Sequence, residues 1–189
     1  MDAFFKRLFR SLRIKHVRPY IKGKVLDLAC GPGEVLSECK DEISHYCGVD
    51  INESEIAILR TTYPNATFHK ADLEAPFPDL PKDFDVVVML ASIGYIFDQK
   101  QLLSQMMSHL KDDGVIVLTS PSPFGDMILY WGTKLGLFAP SGDQDKQFIL
   151  YSKRRARLAA NKMGLEIKKF SYFELFCNQL IVLKKQHSF

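Results

Sequence analysis

The sequence lacks any apolar run that approaches the roughly 18 residues of a membrane-spanning helix. Its first residues also lack the continuous apolar core and small-residue cleavage site of a secretory signal. Low-complexity segments and internal repeats are absent as well. With 47% hydrophobic and 25% charged residues among 189, the chain is predicted to be a folded cytoplasmic protein, neither disordered nor secreted.

Cysteine is scarce, and its spacing does not suggest pairing. The four cysteines form no CxxC pair, and two of them lie inside strongly apolar stretches. A structural zinc site needs a tighter cluster of Cys and His than this chain offers. We therefore expect reduced, buried thiols and no bound metal ion.

The net charge of +3 conceals an asymmetry between the N-terminal segment and the rest of the chain. Residues 1–24 hold eight bases against Asp2 alone, a charge of +7, which leaves −4 for the remainder. Apolar residues within 1–22 are spaced as on one face of a helix. The segment is predicted to be a basic amphipathic helix packed on the domain. Peripheral contact with an anionic membrane is the alternative, and nucleic acid is a less expected partner.

Beyond Lys24, short apolar runs alternate with segments of helical spacing. The apolar runs are continuous, which indicates strands covered on both faces, as in a parallel sheet. Strands are predicted at residues 25–29, 45–49, 67–71, 84–90 and 115–119, and helices at 33–39, 53–60 and 99–110, the last stopped by residues 111–114. This order predicts an α/β fold with helices on both sides of the sheet.

The last part of the chain has a different pattern. A basic helix at 152–163 precedes two β-rich runs, 166–173 and 179–184, whose short connection permits only an antiparallel pair. Residues 120–150 form an insertion rich in apolar and aromatic side chains, which is either a lid over the active site or part of the core. We expect one domain spanning residues 1–189.

A glycine-rich turn directly follows the first predicted strand. Gly31 and Gly33 carry no side chain, so the backbone can approach a ligand closely there. Acids stand at three successive strand ends, and Asp50 follows Asp27 by 23 residues, about the spacing at which an acid reaches ribose hydroxyls in dinucleotide folds. Each acid taken singly is explained by a turn or a helix cap. The three acids together, with Asp72 as the third, indicate a nucleoside site.

A dinucleotide dehydrogenase is the competing interpretation of this turn. Its GxGxxG/A fingerprint requires a third small residue, and counting from Gly31 that position is Leu36. A phosphate-binding P-loop is excluded too, because the turn has no Lys-Ser/Thr pair. The site is therefore predicted to bind a nucleoside without a pyrophosphate.

These motifs resemble those of class I S-adenosylmethionine-dependent methyltransferases with a type 11/12-like domain. The resemblance runs in order through Val25-Leu-Asp-Leu-Ala-Cys-Gly-Pro-Gly33, Gly48–Ile51, Ala71–Leu73, Phe84–Leu90 and Leu110–Val117. It covers about residues 13–120 closely and the last 30 residues more loosely. It implies a Rossmann-like three-layer sandwich, whose seven-stranded, mostly parallel sheet is ordered 3-2-1-4-5-7-6 with strand 7 antiparallel.

The resemblance also implies S-adenosylmethionine as the cofactor, S-adenosylhomocysteine as its product, and roles for individual residues. Asp27 would lie near the methionine amino group, and Arg13 near the cofactor carboxylate. Asp50 would hold the ribose hydroxyls, and Asp72 would accept from the adenine amine. The remaining cofactor contacts would come from Ala29, Gly31 and Gly33 along methionine and ribose, Ile51 and Leu73 at adenine, and Leu90 and Ala91 at the sulfonium.

The acceptor side carries weaker signals. Many relatives have Glu-His where this sequence has Gly94-Tyr95, which argues against metal-dependent O-methylation. Tyr95 and Trp131 are predicted to line the substrate pocket, and no catalytic side chain is assigned. The aromatic insertion favours a small, apolar acceptor, lipid-like or aromatic. An RNA or protein methyltransferase using the basic surface, and a non-catalytic cofactor-binding protein, are the alternatives.

Overall fold

The computed structural model describes residues 11–136 and 152–186. Its first helix, α1, covers residues 11–17 of the described chain, and 3-10 turns follow at Arg18–Tyr20 and Ile93–Tyr95. The other elements, in chain order, are β1 (Gly23–Leu28), α2 (Glu34–Cys39), β2 (Ile43–Asp50), α3 (Glu53–Thr62), β3 (Thr67–Lys70), β4 (Phe84–Leu90), α4 (Gln99–His109), β5 (Leu110–Pro121), α5 (Pro123–Lys134), α6 (Lys153–Lys162), β6 (Leu165–Phe173) and β7 (Asn178–Lys185).

Seven strands form one sheet in the order β3-β2-β1-β4-β5-β7-β6. The pairs among β1 to β5 are parallel, and β7 runs antiparallel to both β5 and β6. The predicted fold class and strand order are therefore confirmed. Because the parallel strands all end at one edge, the turns after β1, β2, β3, β4 and β5 meet there, beside the β6–β7 turn.

Two apolar cores lie on opposite faces of the sheet, since the central strands are covered on both sides. One face packs against α4 and α6 through side chains such as Leu103, Met106 and Ala156. The other packs against α1, α2 and α3 through side chains that include Val17 and Leu59. The result is the three-layer sandwich that the family resemblance implied, and it agrees with the double-sided cover that the continuous apolar runs predicted.

Side-chain caps fix where several helices begin. Asn52 accepts a hydrogen bond from Ser54 N at the start of α3, and Asp98 accepts from Gln101 N at the start of α4. Ser122 accepts from Gly125 N at the start of α5. Each cap satisfies a backbone N–H that has no partner within its helix.

Two predicted boundaries were wrong. The N-terminal helix was expected to reach residue 22, but α1 ends at residue 17, because Pro19 cannot continue a helix and opens the 3-10 turn. Residues 111–114 do not separate helix from strand: β5 already begins at Leu110, with an irregularity in its pairing to β4 before Val115. Residues 1–10 of the predicted helix and 137–150 of the predicted insertion lie outside the described residues.

Candidate functional site

The turn between β1 and α2, which we call the cradle (residues 29–33), contains three left-handed residues. Ala29, Gly31 and Gly33 have φ angles of 57°, 50° and 78°. Glycine adopts this conformation without cost, whereas alanine is strained there by roughly 1 kcal/mol or more. Cys30 N still donates to Val49 O at 3.1 Å, so β2 supports the beginning of the turn.

The two glycines of the cradle meet different surroundings. A Cβ atom on Gly33 would lie 2.7 Å from Leu59 Cδ2, so Gly33 is required for the packing of α2 against α3. A Cβ atom on Gly31 would meet nothing within 4 Å, so Gly31 borders open space. That open space beside bare backbone fits a bound nucleoside, as the sequence predicted for this turn.

Asp50 ties the cradle to the end of β2. Its Oδ2 accepts from Gly31 N at 2.8 Å, and its Oδ1 accepts from Asn52 N at 2.9 Å. A carboxylate has about four acceptor positions, so these two bonds leave capacity for two further donors. The half-buried side chain is thus held in place while remaining able to accept from vicinal hydroxyls.

Asp27 is fully buried in β1, and Tyr46 OH donates to its Oδ2 at 2.6 Å. Burial raises the pKa of Asp27 to about 7, and the hydrogen bond from Tyr46 opposes part of this rise. The pKa of Tyr46 is raised well above its ordinary value, chiefly by burial. Sequence reasoning missed Tyr46, although its position two residues before Gly48 on one strand face was a usable signal.

The predicted adenine contacts stand at the neighbouring strand ends. Asp72 is exposed, and its Oδ1 accepts from Glu74 N at 3.0 Å in a turn. Leu73 is buried beneath that turn, while 63% of Ile51 is exposed. Ala71 N donates to Asp50 O at 3.0 Å, which brings the ends of β2 and β3 together. The adenine roles stay predictions, since the turn by itself also explains Asp72.

The end of β4 repeats the backbone conformation of the cradle. Ala91 has a φ of 55°, and its N–H donates to both the backbone oxygen and Oγ1 of the buried Thr119 in β5. Leu90 and Ala91 are half-buried, which suits the predicted position beside the sulfonium. Tyr95, in the 3-10 turn that follows, is exposed and does not line the groove described below.

Arg13 lies on α1 and acts electrostatically on Glu174, in the turn between β6 and β7. Its charge opposes the effect of burial, which raises the pKa of Glu174 overall. Glu174 also accepts a hydrogen bond from the Asn178 side chain. The structure thus places Arg13 toward the β6–β7 turn, and its contact with a cofactor carboxylate stays a prediction.

An apolar groove of about 350 Å³ opens beside the ends of β5 and β6, and we call it the aromatic groove. Its lining residues are Ser122, Pro123, Phe124, Tyr172 and Phe176. Phe124 belongs to α5, and Phe176 to the β6–β7 turn. Three successive residues of this turn, Glu174, Leu175 and Phe176, have φ angles of 51°, 53° and 68°.

Ser122 connects the two walls of the aromatic groove. Its Oγ donates to Phe176 O and accepts from Gly125 N, and its backbone N donates to Cys177 O at 2.9 Å. A Cβ atom on Gly125 would lie only 2.0 Å from Cys177 O, so α5 approaches the turn backbone to backbone. The strained turn is thus held by the N-terminus of α5.

Trp131 does not line the aromatic groove but lies two helical turns beyond Phe124 on α5. Seven residues separate them, so both lie on one helical face. More than half of Trp131 is exposed, and its ring contacts Tyr130 edge-to-face with centroids 5.6 Å apart. The sequence prediction singled out residues 120–150, in which α5 lies, but did not name the groove residues Tyr172 and Phe176.

Three of the cysteines are buried and have low reactivity. Cys30, Cys39 and Cys47 are buried thiols, and burial raises the pKa of Cys39 and of Cys47 to about 11. Within residues 11–136 and 152–186, no group of three His, Cys, Asp or Glu side chains is arranged to hold a metal ion. No helix of these ranges is both long and apolar enough to cross a bilayer.

Comparison with known sequences identifies the family. The family model described as "Methyltransferase domain" matches residues 4–169. Malonyl-[acyl-carrier protein] O-methyltransferase of Bacillus cereus is 32% identical over 101 residues, which are 51% of this chain and 37% of that protein. A dTDP-3-amino-3,4,6-trideoxy-α-D-glucopyranose N,N-dimethyltransferase of Streptomyces venezuelae is 31% identical over 108 residues, 54% of this chain and 45% of that one. The chain thus spans about two fifths of the length of these curated relatives.

Solved structures share the fold over nearly the whole chain. A putative methyltransferase in complex with the Trm112 activator of Haloferax volcanii superposes with a TM-score of 0.76 at 17% identity, covering 96% of this chain and 92% of that one. Magnesium protoporphyrin IX methyltransferase of Synechocystis, with bound S-adenosylhomocysteine, superposes with a TM-score of 0.73 at 18% identity. The match covers 98% of this chain and 89% of that one.

The family match, the strand order and the nucleoside-type cradle agree with the resemblance found in the sequence. S-adenosylmethionine is the cofactor of this family, so the predicted cofactor is confirmed at the level of the family. The chain belongs to the class I S-adenosylmethionine-dependent methyltransferases.

Proposed function

We propose that this chain is an active methyltransferase that transfers the methyl group of S-adenosylmethionine to a small acceptor with an apolar body, aromatic or lipid-like. The observation that carries the proposal is the cradle. Gly31 borders open space, and its N–H and Asp50 fix each other in a turn that suits a nucleoside. A non-catalytic cofactor-binding protein is the alternative that the experiment below excludes.

When bound, the cofactor supplies an activated methyl group on a sulfonium. The chain's own residues then have to hold the reactants in line, which contributes roughly 7–11 kcal/mol in well-oriented reactions. Asp50 would orient the ribose and Asp27 the ammonium, while Leu90 and Ala91 exclude water beside the reacting centre. A base is needed only where the acceptor has to lose a proton before or during attack, and the proposal assigns none.

The aromatic groove supports an apolar acceptor. Its walls are three aromatic rings and a proline, with Ser122 as the polar residue. It starts immediately after β5, whose Thr119 accepts from Ala91 N beside the proposed sulfonium position. Flat or hydrocarbon groups bind such surfaces by burying apolar area and by stacking on rings. The relatives named above act on an acyl-carrier-bound malonyl group, an amino sugar and a porphyrin, so acceptors differ widely in this family.

The broader setting of the enzyme is part of the proposal. We infer one methyltransferase domain over residues 1–189, with the described part of the 120–150 insertion at the acceptor side, in a cytoplasmic location that suits the four free thiols. Residues 14 and 17 of α1 are buried against the sheet, which favours packing over membrane contact for the described part of this helix.

The proposal is tested with methyl-labelled S-adenosylmethionine, the purified full chain, and extracts separated into metabolite, lipid, RNA and protein fractions. We expect label in an apolar small-molecule fraction with the wild type and none with Asp50→Ala, which removes the ribose acceptor and the bond to Gly31 N. An Asp79→Ala variant, changed at an exposed acid in the connection between β3 and β4, serves as the matched control.

Each other outcome changes the proposal in a defined way. Label confined to RNA or protein would replace the small-molecule acceptor. Binding of S-adenosylhomocysteine without label in any fraction would leave a cofactor-binding protein and refute catalysis. Equal binding by wild type and Asp50→Ala in calorimetry would refute the placement of the cofactor.

A further inference from the structure

We propose that Asp27 and Tyr46 form a proton-linked receptor for the ammonium group of the cofactor, so that binding releases one proton and Tyr46 acts as a positioning residue. This inference rests on the proposed cofactor role of Asp27 and deepens it. It adds a residue, Tyr46, and a pH dependence of cofactor binding.

The pairing of β1 with β2 brings Asp27 and Tyr46 together. Asp27 stands opposite Gly48 of β2 in the parallel register, and Tyr46 lies two residues earlier on the same face of that strand. Because Gly48 has no side chain, the Tyr46 ring can lie across it; a Cβ atom there would sit 3.0 Å from Tyr46 Cε1. The ring is also held by Phe68, with ring centroids 5.7 Å apart.

Tyr46 therefore places its hydroxyl on one oxygen of a fully buried carboxyl group. This bond fixes the orientation of Asp27 and leaves Oδ1 to accept from the ammonium. A buried phenol can only donate here, since its own pKa is raised well above the ordinary value by burial. Its effect on the cofactor thus passes through Asp27.

The charged groups that act on Asp27 from the neighbouring elements are acids. Glu34 at the start of α2 and Asp50 at the end of β2 both raise the pKa of Asp27, in addition to the larger effect of burial. The thiols of Cys30 and Cys47 lie close by, and the negative charge of Asp27 raises the pKa of each of them. With its pKa at about 7, Asp27 is largely protonated in mildly acidic solution.

An arriving ammonium changes this balance, because an opposite charge at hydrogen-bond distance favours the ionised carboxylate. The Asp27 O–H bond breaks and its proton leaves to solvent, while the carboxylate accepts a hydrogen bond from the unchanged ammonium. One proton is thus released per cofactor bound wherever Asp27 is protonated beforehand. Above pH 8, where Asp27 is already ionised, release falls to zero.

The test is calorimetry of S-adenosylhomocysteine binding to the full chain between pH 5.5 and 8.5, in pairs of buffers with different ionisation enthalpies. We expect nearly one proton released at pH 5.5 and almost none at pH 8.5. The association constant should rise by nearly tenfold between pH 5.5 and 6.5 and level off above pH 7.5. 5′-Methylthioadenosine, a nucleoside thioether without the amino-acid portion, should bind without proton release.

Two variants separate positioning from simple loss of structure. Tyr46→Phe removes the donor that stabilises the carboxylate of Asp27. The pH above which the association constant levels off should therefore rise by about one unit, and the affinity should be recovered at pH 8.5. Tyr63→Phe, changed at a tyrosine that packs against the same core from the end of α3, should leave the wild-type profile intact. Asp27→Asn should abolish both proton release and the pH dependence.

The outcomes distinguish this inference from the proposed function. Tight binding without proton release at pH 5.5, or a wild-type profile in Tyr46→Phe, would overturn the proton-linked receptor and leave the cofactor site standing. A change of affinity in Tyr46→Phe that is equal at every pH would reduce Tyr46 to a structural role. Failure of the wild type to bind S-adenosylhomocysteine at any pH would refute the cofactor site itself.

Discussion

The cradle and the aromatic groove lie along the same edge of the sheet but are built differently. In and beside the cradle, polar groups already have partners: Asp50 accepts from Gly31 N and Asn52 N, and Asp27 accepts from Tyr46 OH. In the aromatic groove, large apolar side chains face solvent, with Phe176 65% exposed and Phe124 47% exposed. The first region is preorganised by hydrogen bonds and the second is open.

The two regions differ in the features that lower the stability of the protein without ligand. Beside the cradle lies the buried acid Asp27, whose ionised form costs stability until a cation arrives. The groove holds exposed apolar area, which costs stability until an apolar ligand covers it, and three consecutive left-handed residues in the β6–β7 turn, whose backbone strain also costs stability. Variants of each half should therefore respond differently in stability and in binding.

The largest effect is expected from Asp27→Asn in the absence of cofactor. The folded-state pKa of Asp27, about 7, lies above the ordinary value of 3.8, so ionisation disfavours the folded form. Asp27 costs no stability below pH 4, and its cost should grow as pH rises toward 7, up to about 4 kcal/mol. Asparagine keeps an acceptor for Tyr46 and carries no charge, so the variant should lack this cost.

The measurement is urea unfolding of both proteins at intervals from pH 4 to 8. Asp79→Asn, a substitution at an exposed acid, should follow the wild-type curve. If the free energy of unfolding changed with pH in the same way in Asp27→Asn and in the wild type, Asp27 would not be a destabilising acid. Only the aromatic groove would then contain features that lower stability.

Two glycine substitutions test whether Gly33 serves packing and Gly31 serves cofactor binding. Gly33→Ala combines left-handed strain with a clash on Leu59 and should lower the free energy of unfolding by about 3 kcal/mol. Gly31→Ala adds its methyl group to open space, so it should cost only about 1 kcal/mol of stability. The same methyl group should weaken S-adenosylhomocysteine binding by about tenfold or more, or at least 1.4 kcal/mol.

Thermal unfolding and calorimetry on the two variants decide this pair. A Gly31→Ala protein that binds as tightly as the wild type would show that the open space beside Gly31 is not where the cofactor lies. A Gly33→Ala protein of wild-type stability would mean that α2 and α3 adjust to the added methyl group at no cost.

The strands and most of the cradle could be predicted from the sequence, because both depend on local chemistry, whereas the order of the strands came from the family resemblance. Continuous apolar runs mark buried parallel strands, and Gly31 and Gly33 mark a turn that needs left-handed backbone. The left-handed conformation of Ala29 and Ala91 could not be predicted, since alanine alone disfavours it and only the surrounding hydrogen bonds impose it.

The acceptor half was harder to predict for the same physical reason. Phe124 and Phe176 lie 52 positions apart, and no spacing rule connects them. Their meeting depends on tertiary contacts: Ser122 binds the turn, and Gly125 lets α5 approach Cys177. The aromatic content of residues 120–150 indicated an apolar function, but Trp131, its most prominent residue, lies beyond the groove.

The smallest expected effect tests whether the groove depends on that tertiary link. Ser122→Ala removes the bond to Phe176 O and the cap at Gly125 N, and should cost about 1–2 kcal/mol of stability. Without the bond, Phe176 no longer has a fixed position, so kcat/KM for the acceptor should fall several-fold while S-adenosylhomocysteine affinity stays at the wild-type value. Ser37→Ala, changed at an exposed hydroxyl on α2, is the matched control for loss of a serine hydroxyl. A parallel loss of cofactor affinity in Ser122→Ala would show that cradle and groove are one coupled unit, because a change confined to α5 and the β6–β7 turn would then have reached the end of β1.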